Sequence, residues 1–256
     1  MEHALTFHDS AGHRTAGILA YPDTPTDRLV VLCHGFLSNK NSTTNKTLTR
    51  LLLEHKIATF RFDFFGQGES EGPFEQITLT TAIDQAHSAL ELVATKGYRR
   101  LGLTGSSFGG LVSILVAARH PDLLGLALKC PVADFPETLR LEFGDERMAH
   151  WKQFNQIPNV AGGPSPVPLQ YQLYEDCLAY DAYKVAESIR APTLIVQGDC
   201  DELVPLHQSR RLIEAIRGDK RLEILSGADH GFTKGDDFRR MTTLIVDWMT
   251  RHLAGC

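Results

Sequence analysis

The stretch Leu103-Thr104-Gly105-Ser106-Ser107-Phe108-Gly109-Gly110 (LTGSSFGG) decides how this chain is read. An apolar strand, Arg100 to Thr104, runs into it, and a helix carrying Val112, Leu115 and Val116 leaves it. Between them lies Gly-x-Ser-x-Gly, with Gly105 and Gly109 flanking Ser107. A serine on so tight a strand-to-helix turn is held in a strained backbone conformation, its hydroxyl thrust out at the end of a sheet. The positions two before and two after it must be small, because the turn brings their backbones together. Ser107 meets that requirement; the adjacent Ser106 would have Thr104 and Phe108 at those positions. Ser107 is therefore the candidate nucleophile. A structural glycine-rich turn could carry the same five residues, and the strand before and helix after favour the functional reading.

Outward from this turn the chain alternates between strand and helix. Leu5 to Pro22 predicts a hairpin about Asp9-Ser10-Ala11-Gly12. Arg28 to Cys33 (RLVVLC) is continuously apolar after its first residue, as a strand covered on both faces should be. Ile57 to Phe62, Leu123 to Lys129, Thr193 to Gln197 and Arg221 to Leu225 read as further strands. Helices are predicted around Leu48-Leu51-Leu52, over Thr78 to Thr95, Leu206 to Ile216 and Asp237 to Leu253. The clearest is Thr78 to Thr95, where Ala82, Ala86, Ala89, Leu90 and Val93 share one face. The pattern predicts an α/β fold with a mostly parallel sheet and helices on both faces. The stretch from Asp134 to about Tyr180 reads as irregular, broken by Pro136, Pro158, Gly162-Gly163-Pro164, Pro166 and Pro168.

A serine hydroxyl needs an imidazole to take its proton, and the imidazole needs a carboxylate to set its tautomer. In such folds ligands collect beyond the carboxyl ends of strands. The loop after Thr193 to Gln197 is GDCDELVP, with Asp199 and Asp201; the loop after the last strand is SGADHGF, with His230. Among 11 histidines, His230 alone combines a strand-end loop, a following glycine and a place after both serine and acid. Asp201 is preferred as the acid. Asp199 is placed to cap a turn, Asp229 adjoins His230 in sequence, and Glu202 is the outside candidate. His34 is expected to hold the loop that follows it. Two backbone N–H groups should receive the developing oxyanion, those of Phe108 at a helix start and Phe36 in the His34-Gly35-Phe36 loop.

The stretches CHGFLSNKNS, FDFFGQGESEG, LTGSSFGG and the pair GDCDELVP and GADHGF resemble those of α/β-hydrolases, along the whole chain. The order serine, acid, histidine is that of the same family. The resemblance is to bacterial carboxylesterases, cinnamoyl and feruloyl esterases and monoacylglycerol lipases, and it implies Asp201 as triad acid and structural roles for Asp63 and Ser70. Gln67 stands where that family usually has histidine. Serine aminopeptidases share these motifs. The resemblance implies a single α/β-hydrolase domain over residues 1–256 with a short cap insertion at about 134–180. That cap lies between two core strands and is expected to select the substrate, with Trp151, Phe154 and Tyr171 as substrate-binding residues beside Phe143 and Tyr174; the alternative is a small packing subdomain whose aromatics face the core.

Composition narrows the classes. Hydrophobic residues at 43% and charged residues at 22% suit a soluble globular chain. A net charge of -5 gives no reason to expect nucleic acid or a membrane surface as partner. No apolar run is long enough to span a bilayer. The N-terminus lacks a basic start followed by an apolar run. The five cysteines are scattered and odd in number, so free thiols and a cytoplasmic location are expected. The expected function is hydrolysis of small carboxylic esters through Ser107, His230 and Asp201, with no metal and no cofactor. The alternatives are an aminopeptidase or amidase of the same fold, or a non-catalytic binding protein that keeps the scaffold. Oligomeric state is not legible.

Overall fold

The computed structural model describes residues 1–159 and 163–254; Gly162 of the Gly-Gly-Pro stretch and Cys256 lie outside them. The chain opens with strands β1 (Glu2–His8) and β2 (Arg14–Ala20), the expected hairpin. There follow β3 (Arg28–Cys33), α1 (Thr43–Glu54), β4 (Ala58–Phe62), a single 3₁₀ turn at Phe74–Gln76, α2 (Leu79–Thr95), β5 (Arg100–Ser106), α3 (Phe108–Ala117) and β6 (Gly125–Lys129). Next come α4 (Phe135–Phe154), the two-residue strands β7 (Gln156–Ile157) and β8 (Val167–Pro168), α5 (Gln172–Cys177) and α6 (Ala182–Ala186). The chain returns to the sheet with β9 (Thr193–Gly198), α7 (Leu206–Ala215), β10 (Lys220–Leu225) and α8 (Asp237–His252).

Eight strands form one sheet in the order β1-β2-β4-β3-β5-β6-β9-β10. β2 is antiparallel to β1 and β4; every pairing from β4 to β10 is parallel. Alternation along β3 shows why its sequence is continuously apolar. Leu29, Val31 and Cys33 enter the core beneath α2 and α3, while Val30 and Leu32 enter the core beneath α1 and α8. Both faces are buried, so both side-chain parities must be apolar. Thr78 caps α2 by accepting from the Thr81 N–H, satisfying an N–H that has no intrahelical acceptor.

The segment between β6 and β9 corrects one expectation. It is largely helical, and α4 alone spans 20 residues. Pro136 does not break it, because it stands in the first turn, where its missing N–H costs nothing. Asp134 caps that turn by accepting from Glu137 N–H at 2.8 Å. The interruption is at Gly144 (φ 66°, ψ 173°), a conformation only glycine adopts readily, and it turns the second half of α4 to a new direction. No described helix is long and apolar enough to cross a membrane.

Candidate active site

Ser107 sits between β5 and α3 with φ 52° and ψ -116°, a strained combination for a residue with a side chain. Its backbone is fixed from the neighbouring strand, its N–H donating to Lys129 O at 2.9 Å and its carbonyl accepting from Val132 N–H at 3.2 Å. The glycine requirement is steric. A Cβ at Gly105 would stand 2.2 Å from Gly109 O, and one at Gly109 would stand 2.3 Å from His34 O. Gly35 is under no such demand, since its Cβ would meet Ser106 O at an ordinary 3.5 Å.

His230, in the loop after β10, brings Nδ1 to 2.9 and 3.0 Å from the two Asp201 carboxylate oxygens. Carboxylate oxygens only accept, so Nδ1 carries a proton, and in the neutral ring that tautomer leaves the lone pair on Nε2. Asp201 also receives the N–H groups of Leu203 at 3.0 Å and Val204 at 2.8 Å. Burial by itself would raise the Asp201 pKa. The hydrogen bond and charge of His230, with the Val204 N–H, outweigh it and hold the carboxyl below its ordinary value. Asp199 is instead exposed and held down first by the Gly227 N–H, which donates to it at 2.6 Å. It closes a turn, and Asp229 likewise binds Thr233 N–H at 2.8 Å. Glu202 accepts from the His230 backbone N–H at 3.1 Å and does not reach the ring nitrogens.

Ser107 and His230 line one cavity of about 240 Å³. Among the described residues their side chains share no direct hydrogen bond, a contact that commonly tightens only in the complex with substrate. Phe36, Lys129 and the α4 residues Phe135, Leu139, Glu142 and Phe143 are among the other residues of the cavity wall. Phe108 is the first residue of α3, so its N–H has no acceptor within the helix. The Phe36 N–H meets no acceptor among the described residues.

The loop that carries Phe36 is held from behind. His34 is buried, places Nδ1 2.7 Å from Gly35 O and accepts from Phe64 N–H through Nε2 at 3.1 Å. Burial pushes its pKa down to about 4, so the ring is neutral, and its role is structural as expected. Lys40 was not anticipated. It is buried, with Nζ between Asp63 and Glu69 and its N–H on Asp63 Oδ1 at 2.6 Å. Burial would lower the Lys40 pKa, but the two carboxylates raise it on balance. Asp63 also accepts from Glu69 N–H, and its carbonyl accepts from Ser70 Oγ at 2.7 Å. Gln67 is buried beside this group, its Oε1 accepting from Ser38 N–H at 3.3 Å, and it is not in the cavity wall.

The three aromatic residues expected to bind substrate do not line the cavity. Trp151 is fully buried, and its Nε1–H donates to Leu169 O at 2.7 Å. It stacks edge-on behind Phe143 at 6.3 Å and against Tyr171 at 5.1 Å. Phe154 is 53% exposed and packs on His150. For Trp151 and Phe154 the reason is the break in α4 at Gly144. Phe135, Leu139 and Phe143 precede the Gly144 break and share one face of α4; Trp151 and Phe154 follow it. Lys129 was missed as well, although a lysine ending the otherwise apolar run LALK is a visible anomaly.

Cys130, Asp201 and His230 are the one group of three potential metal-ligating side chains among the described residues, their atoms within 4.8 Å of one another. Metal ligation needs a thiolate, whereas burial pushes the Cys130 thiol far up and keeps it protonated. The set suits a hydrogen-bonded acid and imidazole better than a metal.

The strained Ser107 after β5 and His230, held by Asp201, thus line one cavity. The family model described as alpha/beta hydrolase fold matches residues 28–159, just over half of the chain, and the chain belongs to that family. A second model, serine aminopeptidase S33, matches residues 145–237. Pimeloyl-[acyl-carrier protein] methyl ester esterase of Neisseria meningitidis is 27% identical over 195 residues, 64% of this chain and 73% of that protein. The mitochondrial palmitoyl-protein thioesterase ABHD10 of Bos taurus is 23% identical over 252 residues, 92% of this chain and 80% of that protein. Among solved structures, Est1E from Butyrivibrio proteoclasticus with bound ferulic acid superposes with a TM-score of 0.85 at 22% identity, covering 98% of this chain and all of that one, a likeness of fold.

Proposed function

We propose that this chain is a serine hydrolase of carboxylic esters. The carrying observation is that the strained Ser107 shares a cavity with His230, whose Nδ1 is held at 2.9 Å by Asp201. In this reading His230 Nε2 takes the Ser107 proton as Oγ attacks the ester carbonyl carbon. The carbonyl oxygen becomes an oxyanion that accepts from the Phe36 and Phe108 N–H groups. His230 then returns the proton to the departing alcohol, and water repeats the sequence on the acyl-enzyme. Asp201, kept ionised by its donors, stabilises the imidazolium at each stage. Relatives that cleave a methyl ester and a thioester support acyl transfer to water as the reaction.

The aminopeptidase alternative draws on the second family model. A free α-amine needs carboxylates at its site, and the cavity wall offers Glu142 together with the ammonium of Lys129. Glu142 is exposed and shares the wall with that ammonium, so it is a weak counter-ion for a substrate amine. An ester is therefore the better substrate class. The test is labelling by a fluorophosphonate with parallel turnover of p-nitrophenyl esters and an aminoacyl anilide. Ester turnover and labelling are expected, both lost in Ser107→Ala by about a million-fold in kcat. Full activity in purified Ser107→Ala, or anilide turnover exceeding ester turnover, would overturn the assignment.

A further inference from the structure

Strand β6 ends in a residue that its surroundings do not explain. Leu126 and Leu128 enter one core and Ala127 the other, as in any buried strand. Lys129 continues that alternation with an ammonium, and its residue is only 6% exposed. A buried cation is costly unless paired and hydrogen-bonded. Lys129 Nζ donates to His230 O at 2.7 Å and lies 5.3 Å from the centre of the Phe232 ring. No carboxylate pairs with it among the described residues, in contrast to the buried Lys40, which has Asp63 and Glu69. An ammonium has three donors, and the carbonyl uses one. Lys129 also belongs to the wall of the cavity that holds Ser107 and His230, as do the hydroxyl-bearing Ser42 and Thr44.

We propose that Lys129 is a specificity residue that binds an anionic group of the substrate, so that the preferred ester carries a carboxylate near its scissile bond. This rests on the ester-hydrolase reading above and narrows its substrate class. A carboxylate reaching Lys129 would supply the counter-charge the protein withholds, and would use the donors left free by His230 O. Proximity follows from the register. Lys129 is paired with Ser106, and its carbonyl accepts the Ser107 N–H at 2.9 Å. Glu142, the single side-chain carboxyl in the wall, lies on α4 and is exposed, so solvent screens its repulsion of an incoming anion.

The experiment compares matched substrates. Monomethyl glutarate is set against methyl pentanoate, with the charge on the acyl side, and acetoxyacetate against propyl acetate, with the charge on the alcohol side. The readout is the ratio of kcat/KM for charged over neutral ester in wild type, Lys129→Met and Lys129→Arg. A general loosening of the His230 loop lowers both substrates together and cancels in the ratio. In wild type one of the two ratios should exceed that of Lys129→Met by about 10- to 100-fold, the usual worth of a hydrogen bond to a charged group. Lys129→Arg, which keeps the charge, should retain most of it. Calorimetric titration of glutarate into Ser107→Ala, with and without Lys129→Met, reads the same site without turnover. Ester turnover with neither ratio altered by Lys129→Met overturns the anion subsite and leaves the hydrolase reading intact. Absence of ester turnover in wild type overturns the hydrolase reading, and the glutarate titration then decides the subsite alone. If Lys129→Met does not fold, Lys129→Gln is put through the same comparison.

Discussion

His34 makes the stability of this protein depend on pH in a way that can be calculated. Its ring is buried and neutral, with a pKa near 4 in the folded state against 6.5 in a solvated chain. Between these values the unfolded chain binds a proton that the folded chain refuses. Stability from this residue is therefore complete above pH 6.5 and lost progressively as pH falls toward 4. The full shift corresponds to about 3 kcal/mol, and at pH 5 roughly 2 kcal/mol of it has been lost. The perturbation is His34→Gln, which can still bond Gly35 O and Phe64 N–H but does not titrate. At pH 7.5 the variant should be the less stable, because its amide fits the two backbone groups less well. At pH 5 the difference between the two proteins should shrink or reverse by roughly 2 kcal/mol. Urea denaturation followed by fluorescence at both pH values provides the unfolding free energies, and the pH-dependent difference removes the contributions of all other carboxylates and histidines. A constant difference across this range would refute the reasoning, since it would mean that His34 takes up its proton equally in both states.

Two further outcomes test the site and its wall. Asp201→Asn should reduce kcat by about ten-thousand-fold through loss of the Nδ1–H tautomer of His230, whereas Asp199→Asn, at the exposed turn bonded to Gly227, should turn over ester as wild type does; steady-state kinetics on both decides, and the reverse order would make Asp199 the acid. Phe143→Ala should lower the preference for a bulky aromatic acyl ester over acetate by roughly 10- to 100-fold, from the burial of one large side chain. Trp151→Ala, one layer behind, should leave that ratio near its wild-type value while costing about 3–5 kcal/mol of stability, read by denaturation beside the two-substrate kinetics.

The parts of this protein that were legible in its sequence are those governed by near neighbours along the chain. Strand and helix alternate visibly because two-sided burial makes β3 uniformly apolar and one-sided burial gives α2 its stripe. The serine could be chosen over its neighbour because the glycine demand at Gly105 and Gly109 arises within a single turn. Asp201 and His230 could be ordered because each follows a strand, and in a parallel sheet all such loops emerge at one edge. What tertiary structure alone decided is which side chains face the cavity. A kink at Gly144 sends Phe143 to the wall and Trp151 behind it, and local aromatic content does not distinguish the two. Lys40 finds its carboxylates 23 and 29 residues away, and Lys129 finds the His230 carbonyl 101 residues away. Whether a buried lysine has a counter-ion depends on what the rest of the chain brings within hydrogen-bond reach. Sequence spacing does not carry that information, and here it separates Lys40, paired with two carboxylates, from Lys129, bonded to a carbonyl.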